Sequence, residues 1–448
     1  MNFRILKRLL FVLFLFIFFH QKNQAQEIWT LEMCLQKAMT QNLQVKTLQN
    51  NSQQIQEKIK EVKSGLMPQI SAEYNYAYNP NIPPTFLPGF IVGQPQQENV
   101  AAVLGLKQTQ YFRVQASLQL FNPQLLIALK VAKVATQLSE LQISKAKEDI
   151  AYNVSATYYN LLTLYQQMEL LKSNIKSFET TIRTTETLQK NDLAKKSDVN
   201  RLILQKKNLE NQLLNIAVTE NTLLNVLRVL TNTNENMVFG IDKNVGESVE
   251  NFVQMDSTQI YKRLDFQLLD RQMMLKDLEK KTIYSQFMPN LTAIGAYNSY
   301  AYYKDFNPIE RADNKSFPVS LVGLSLTIPV YDGGQKMSKL RQNKIEMANF
   351  TIQKQQQTTQ IKSELDNAKK KYATSLVSLQ LQTDNINLAK NTLNETKTNY
   401  QNGLVSINDI INAENDLQKT QIDYLTALVN VRIAVLDLKK NYGTLFKN

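Results

Sequence analysis

A mainly α-helical fold with a small transmembrane β part, built as a duplicated helix-strand-strand-long helix-helix unit, is what this sequence predicts. Three observations point there. Two long stretches hold apolar residues at alternating spacings of four and three, shorter stretches ahead of each alternate apolar and polar side chains, and short motifs of the first half return in order in the second.

The chain opens on a segment with the marks of export. Arg4, Lys7 and Arg8 precede an unbroken apolar run from Leu9 to Phe19, and Asn23-Gln24-Ala25 offers a cleavage site before Gln26. That run is too short for a bilayer span of about 20 helical residues, so residues 1–25 read as a removable signal peptide. No later stretch approaches 18 consecutive apolar residues, which argues against an inner-membrane protein.

Removing the signal removes His20, the only histidine, and leaves Cys34 as the only cysteine. A single cysteine forms no internal disulfide, and Cys34 reads as a small buried side chain on the first helix. With no histidine, no cysteine pair, no phosphate-binding glycine loop and no paired carboxylate cluster, nothing in the sequence points to an enzyme, a metal or a cofactor. The formal charge is +12, and +8 without Arg4, Lys7, Arg8 and Lys22. These charges are spread along helical stretches without interleaved aromatics, the pattern of solvated faces rather than of nucleic-acid binding.

The first repeat, 26–230, begins with a helix and a β-hairpin at 69–121. In the first strand Ile70, Ala72, Tyr74, Tyr76 and Tyr78 alternate with Gln69, Ser71, Glu73 and Asn75. In the second, Phe112, Val114, Ala116, Leu118 and Leu120 alternate with Arg113, Gln115, Ser117 and Gln119. About ten residues of period two, rich in tyrosine, suit a tilted membrane strand with an apolar exterior and a polar interior. The connection from Asn79 to Gln110 carries Pro80, Pro83, Pro84, Pro88 and Pro95 and reads as an irregular loop. A long helix at 123–190 follows, with Ile150, Val154, Thr157, Leu161, Leu164, Met168, Leu171, Ile175, Phe178 and Ile182 at heptad spacing. The return helix at 196–230 carries Leu202, Leu209, Ile216, Leu223 and Leu230. A sustained seven-residue repeat keeps one seam facing a partner and imposes a left-handed supercoil.

After an Asn-rich linker at 231–255, the second repeat at 256–448 restates this order. Ser64-Gly65-Leu66-Met67-Pro68 returns as Ser285-Gln286-Phe287-Met288-Pro289. Its hairpin, 290–331, has one well-patterned strand (Val322, Leu324, Leu326, Ile328 and Val330 on one face). The other, near Leu291 to Tyr303, alternates poorly and is placed by the repeat. The hairpin loop spans 304–316. The long helix at 335–401 repeats the heptads with Ile361, Leu365, Ala368, Tyr372, Ser375, Leu379, Gln382, Ile386, Ala389 and Leu393, and the return helix at 406–442 with Ile410, Leu417, Tyr424, Val431 and Leu438. At about 1.5 Å per residue, each long helix reaches about 100 Å. Asp332-Gly333-Gly334 reads as a sharp strand-to-helix turn, with Asp332 as cap. In Ser406-Ile407-Asn408-Asp409 the carboxylate fits a capping box, either alone or with a further role in a lumen.

The opening Trp29-Thr30-Leu31-Glu32-x-Cys34-Leu35-x-x-Ala38, the Met-Pro pairs, Ile328-Pro329-Val330-Tyr331-Asp332-Gly333-Gly334 and Tyr400-x-x-Gly403 resemble the TolC-type outer-membrane efflux proteins. The resemblance covers essentially the whole chain after the signal. It implies a homotrimer in the cell outer membrane, with four strands per protomer closing one 12-stranded barrel over an α-helical barrel in the periplasm. It further implies an exit duct of a tripartite efflux or type I secretion system. The partners would be a periplasmic membrane-fusion adaptor, an inner-membrane pump and outer-membrane lipid, with no nucleic acid. Elementary physics adds that four strands leave two open edges in lipid, so one protomer cannot stand alone.

The resemblance also places a gate at the helix-turn-helix tips. Tyr400 and Asp409 match the family's gate, and Asp198 stands where that tyrosine's acceptor would be. Val405 replaces an arginine and Asn412 a second aspartate, so a resting lock would depend mainly on Tyr400 and Asp198. Leu193, Gly403, Leu404 and Ser406 would form the tip that docks the adaptor. A periplasmic coiled-coil scaffold or adaptor subunit is the alternative, and it leaves the alternating strands without a purpose.

Overall fold

The computed structural model describes residues 27–234, 239–242, 257–303 and 316–445. The expected signal peptide, much of the linker and the loop of the second hairpin lie outside the described residues.

In chain order, strand β1 (Glu27–Trp29) leads into helices α1 (Leu31–Gln41) and α2 (Leu43–Ser64). Strand β2 (Gln69–Tyr78), the small pair β3 (Thr85–Pro88) and β4 (Asn99–Ala102), and β5 (Gln108–Phe121) come next. Helix α3 (Pro123–Lys190) and return helix α4 (Lys196–Thr231) complete the first copy. Strand β6 (Phe239–Ile241) and a short 3₁₀ turn (Ser257–Lys262) join it to helix α5 (Leu264–Ser285). Strands β7 (Asn290–Tyr303) and β8 (Ser316–Thr327), helix α6 (Gln335–Gln401) and helix α7 (Ile407–Asn441) close the chain. By contacts it divides into two compact units, each drawing segments from both repeats.

The unit formed by 52–138 and 270–352 contains the main sheet. Its strands run in the order β2-β5-β7-β8, every neighbour antiparallel. The register resolves the poorly alternating strand. Tyr74 faces Phe112, Val114 faces Tyr297, and Ala293 faces Leu324. The odd positions of β7 therefore share a face with the even positions of β2, β5 and β8. That face carries Ile70, Tyr74, Phe112, Leu118, Leu291, Tyr297, Val322 and Leu324. The opposite face is cross-linked by polar groups: Tyr111 Oη donates to Glu73 at 2.7 Å, Arg113 Nε to Asn298 Oδ1 at 2.7 Å, and Thr292 Oγ1 to Gln119 at 3.2 Å. The Pro-rich connection expected to be irregular holds a hairpin instead, with Thr85 opposite Ala102 and Pro88 opposite Asn99. Proline's missing N–H is tolerable in so short a ladder. At the end of β8, Asp332 accepts from the backbone N–H groups of Gly334 (3.1 Å) and Lys336 (3.0 Å), while Gly333 and Gly334 take positive φ. Those bonds turn the strand into α6.

The other unit is helical, with heptad side chains at its core. Ile150, Val154, Leu161, Leu171 and Phe178 of α3, Leu202 and Leu209 of α4, Ile361 and Leu365 of α6, and Ile410, Leu417 and Val431 of α7 are all buried. An 18-residue window of α4 reaches a mean hydropathy of 1.2, the composition of a membrane span. Its Leu224 and Leu227 pack in the core with Trp29 and Tyr158, which assigns the helix to the bundle.

Strand β1 pairs in parallel with β6, Trp29 opposite Ile241. Trp29 is fully buried, stacks on Phe239 at 4.0 Å between centroids, and has Lys37 Nζ 4.1 Å from its ring. Tyr158 Oη bonds to the carbonyls of Trp29 and Asp242, both at 3.3 Å. Cys34 is buried in the same cluster, where burial pushes its thiol up to about 12, the setting of an inert side chain. Trp29→Ala should therefore lower stability by about 3–5 kcal/mol, read as a lower midpoint in thermal or denaturant unfolding. The exposed neighbour variant Ile28→Ala should stay within about 0.5 kcal/mol of the parent.

Candidate gate at the helix tips

The two helix-turn-helix tips repeat one geometry at an offset of 211 residues. At the end of α3, Asp192 N–H bonds to Gln189 O at 3.0 Å and Leu193 N–H to Leu188 O at 2.8 Å. At the end of α6, Gly403 N–H bonds to Tyr400 O at 2.9 Å and Leu404 N–H to Asn399 O at 2.9 Å. Both are left-handed caps that satisfy the last carbonyls of a helix. Gly403 takes φ +73°, and Asp192 holds the equivalent place at φ 59° without glycine. Asp is among the few residues that tolerate this region. Each turn leaves a leucine, Leu193 or Leu404, largely in solvent.

Each return helix then starts on a carboxylate. Asp409 Oδ2 accepts from Ser406 N–H at 2.7 Å and from Ser406 Oγ at 2.7 Å, while Asp409 N–H bonds to Ser406 O at 3.1 Å. Asp198 Oδ2 likewise accepts from Lys195 N–H at 3.2 Å. Both carboxylates reach back to the residue ahead of their helix, satisfying an orphan donor and complementing the positive helix end. The Ser406 hydroxyl and then its amide hold the Asp409 carboxyl below its ordinary value.

The expected bond between Tyr400 and Asp198 is not among those that either residue makes. The Tyr400 ring packs against the apolar cluster of Leu171, Phe178, Leu202, Leu209, Ile407 and Ile410, and Asp198 is committed to its cap. Val405 is half-buried beside the turn, and Asn412 is exposed on α7.

The repeats are joined near the tips by residues outside the expected gate. Arg201 of α4 donates to Asn408 Oδ1 of α7, and Gln205 to Asn415 Oδ1. Gln418 Nε2 of α7 donates to Gln212 of α4 at 2.9 Å. Arg201 is the repeat partner of Asn412 at the same offset of 211, so the basic group missing at Val405 is present nearby on the other copy. Deeper in the bundle, Lys397 of α6, Glu414 of α7 and Ser177 of α3 meet. The sequence carried a clue to Glu414. It falls between Ile410 and Leu417, inside the heptad seam, where a charge is out of place. Among the described residues, no group of three or more His, Cys, Asp or Glu side chains is placed to hold a metal ion.

Residues 284–444 match the family described as outer membrane efflux protein. No curated protein sequence matches the chain. Among solved structures, CusC, described in terms of folding and transmembrane channel formation, superposes with TM-score 0.75 at 13% identity, over 92% of this chain and 91% of that one. The Campylobacter jejuni CmeC outer membrane channel gives 0.72 at 16% identity, over 93% and 86%. The Neisseria gonorrhoeae MtrE outer membrane channel, in its open state, gives 0.71 at 15%, over 93% and 89%. By sequence the second repeat is similar to the outer membrane efflux protein family, and by fold the chain is similar to these channels throughout. The region matched by sequence includes β7, β8, α6 and the second tip, hence Tyr400, Gly403 and Asp409.

The Asp409 cap carries a pH signature. Its folded pKa lies below the ordinary value of 3.8. Its contribution to the α7 terminus is therefore complete above that ordinary value and is lost as pH falls through the lower folded value. Amide hydrogen exchange at Ser406 should quicken, relative to its intrinsic rate, as pH is lowered through this acidic window. In Asp409→Ala the same amide should be fast throughout and the pH step absent.

Proposed function

We propose that three copies of this chain form an outer-membrane channel that serves as the exit duct of a tripartite efflux or type I secretion system. The observation that carries this is the sheet. One continuous face of four antiparallel strands is apolar and open to solvent in the protomer, with Val322 90% and Leu324 69% exposed. The other face carries the hydrogen-bonded polar groups of β2, β5 and β7 beside apolar Val319 and Leu321 of β8, close to the arrangement of a barrel wall between lipid and water. Strands β2 and β8 each pair on one side only among the described residues, and neither edge is tolerable in hydrocarbon.

The helices also support an assembly of copies. Leu214, Val218 and Val229 of α4, and Val377, Leu381 and Leu388 of α6, are exposed at spacings of four, seven and eleven. Such stripes are what a neighbouring coiled-coil helix covers. Each protomer brings four strands, and three copies give the even, 12-stranded barrel of the family. A soluble scaffold is the weaker reading, because it leaves the apolar sheet face in water.

In that trimer Leu193, Gly403, Leu404 and Ser406 lie at the turns that end the helix pairs, the place for an adaptor to dock, with the inner-membrane pump reached through it. Three copies of Asp409 around one axis would attract cations at the resting mouth. Purified in detergent, the protein should have the mass of three protomers and form cation-preferring pores in planar bilayers. Gly403→Pro places proline at positive φ and removes the N–H bonded to Tyr400 O, so it should weaken adaptor capture while pores persist. A water-soluble monomer without conductance is the outcome that overturns the proposal.

A further inference from the structure

Three helices of the helical unit each contribute a row of side chains to one cleft. On α3 the row is Leu162, Gln166 and Leu170, on α6 Ile386 and Lys390, and on α7 Gln421 and Leu425. Residues four apart stack one above the other on a helix face, so each row mixes apolar and polar groups along a single line. The enclosed space is about 440 Å³, within the range that holds a drug-sized molecule. Its deepest residues are Leu162 and Leu425, 0% and 4% exposed. Tyr165 and Tyr424 give it aromatic walls. A hydrogen bond between the Tyr165 hydroxyl and Glu220 of α4 holds the first ring in place, and Tyr424 is half-buried at the cleft.

Two polar groups of the lining are unmet. Gln166 Oε1 is buried, and no protein group donates to it. A buried acceptor without a donor is a standing cost, which the N–H or O–H of a ligand removes. At the rim, Lys390 has no hydrogen-bond or ion-pair partner among the described residues. Glu169, the acid at the same rim, is 64% exposed and lies 3.0 Å from Lys172 Nζ. The charge left over at the cleft is therefore positive.

The cleft is also clear of the surface expected to pack in an assembly. Ile386 and Lys390 each follow a member of the exposed α6 stripe, Val377 and Leu381, by nine residues. Nine residues make about two and a half helical turns, so stripe and cleft lie on opposite faces of α6. A helix that covers the stripe leaves the cleft open.

We propose that this cleft binds small amphipathic acids: an anionic group for Lys390, an apolar or aromatic body for the leucines and tyrosines, and an N–H or O–H for Gln166 Oε1. Burial of the body drives entry. The lysine selects the sign of the head group, and the glutamine carbonyl selects bodies that carry a donor. The site is formed within one chain and needs no pore to be occupied.

Isothermal titration of the full, detergent-purified chain with 4-anilinobenzoate tests this, with titration into detergent alone subtracted and 4-anilinobenzamide as the neutral counterpart. The acid should saturate at one molecule per protomer, and the amide should bind several times more weakly. Lys390→Glu, at an exposed position, should lower affinity for the acid severalfold, more at low salt than at high salt, and leave the amide's unchanged. Gln166→Leu should weaken both. Ile386→Trp fills the cleft and should abolish both; if that variant does not fold, Lys390→Glu decides alone. No saturable binding, or acid binding unchanged in Lys390→Glu, overturns the proposal. Equal affinity for acid and amide also overturns it, since the lysine then selects nothing. Either failure leaves the channel reading standing, because that reading is measured by mass and conductance.

Discussion

Backbone amides and carbonyls on the edge of a β-sheet have nothing to bind in hydrocarbon, and each one left unpaired costs several kcal/mol. The four-stranded sheet of this protein has such an edge on β2 and another on β8, while one of its faces is apolar from strand to strand. In water the face is the liability, and in lipid the edges are. Only further copies of the sheet, closing the ladder on both sides, resolve the two demands together. The proposed oligomer, its membrane location and its use as a duct all rest on that requirement.

The same economy appears in the helices. Heptad seams bury α3 against its neighbours, α7 is most buried between Leu425 and Leu438, and α6 and α4 keep second apolar stripes in reserve for a partner. The tips are built from local rules twice over: a left-handed cap, one exposed leucine, then a carboxylate that caps the return helix. Residues committed to such local bonds are poor candidates for a lock that must open. Asp198 and Asp409 are both in that position.

Much of this was legible in the sequence because it is periodic. Heptads run along the long helices with the buried residues where the spacing puts them, and three of the four strands show their faces in the order of their residues. Strand β7 did not, since Gly295, Ala296 and Ala301 blur the alternation, and only its register with β5 and β8 assigns the face. The β1–β6 pair was invisible because each strand contributes three residues from places more than 200 positions apart. The hairpin β3–β4 was hidden by its prolines. At the tips, the capping pattern of Ser406 and Asp409 could be read directly, and Gly403 predicted its own turn. Asp192, which does glycine's work in the first copy, showed only through the repeat. The bond between Tyr400 and Asp198 came from resemblance, and in this chain the tyrosine is held by apolar contacts instead. Ser177, Lys397 and Glu414 lie on three helices, and no local pattern joins them.

In the proposed trimer, β2 of one copy pairs with β8 of the next. Cysteine at Ser71, combined with cysteine scanned along Gly323, Ser325 and Thr327 on the polar face of β8, tests it in membranes. The only native thiol, Cys34, is buried and contributes no background. At one of these registers oxidation should convert the protein to a covalent trimer, reversed by reductant. Protein that stays monomeric at every register while the chain remains folded would contradict it.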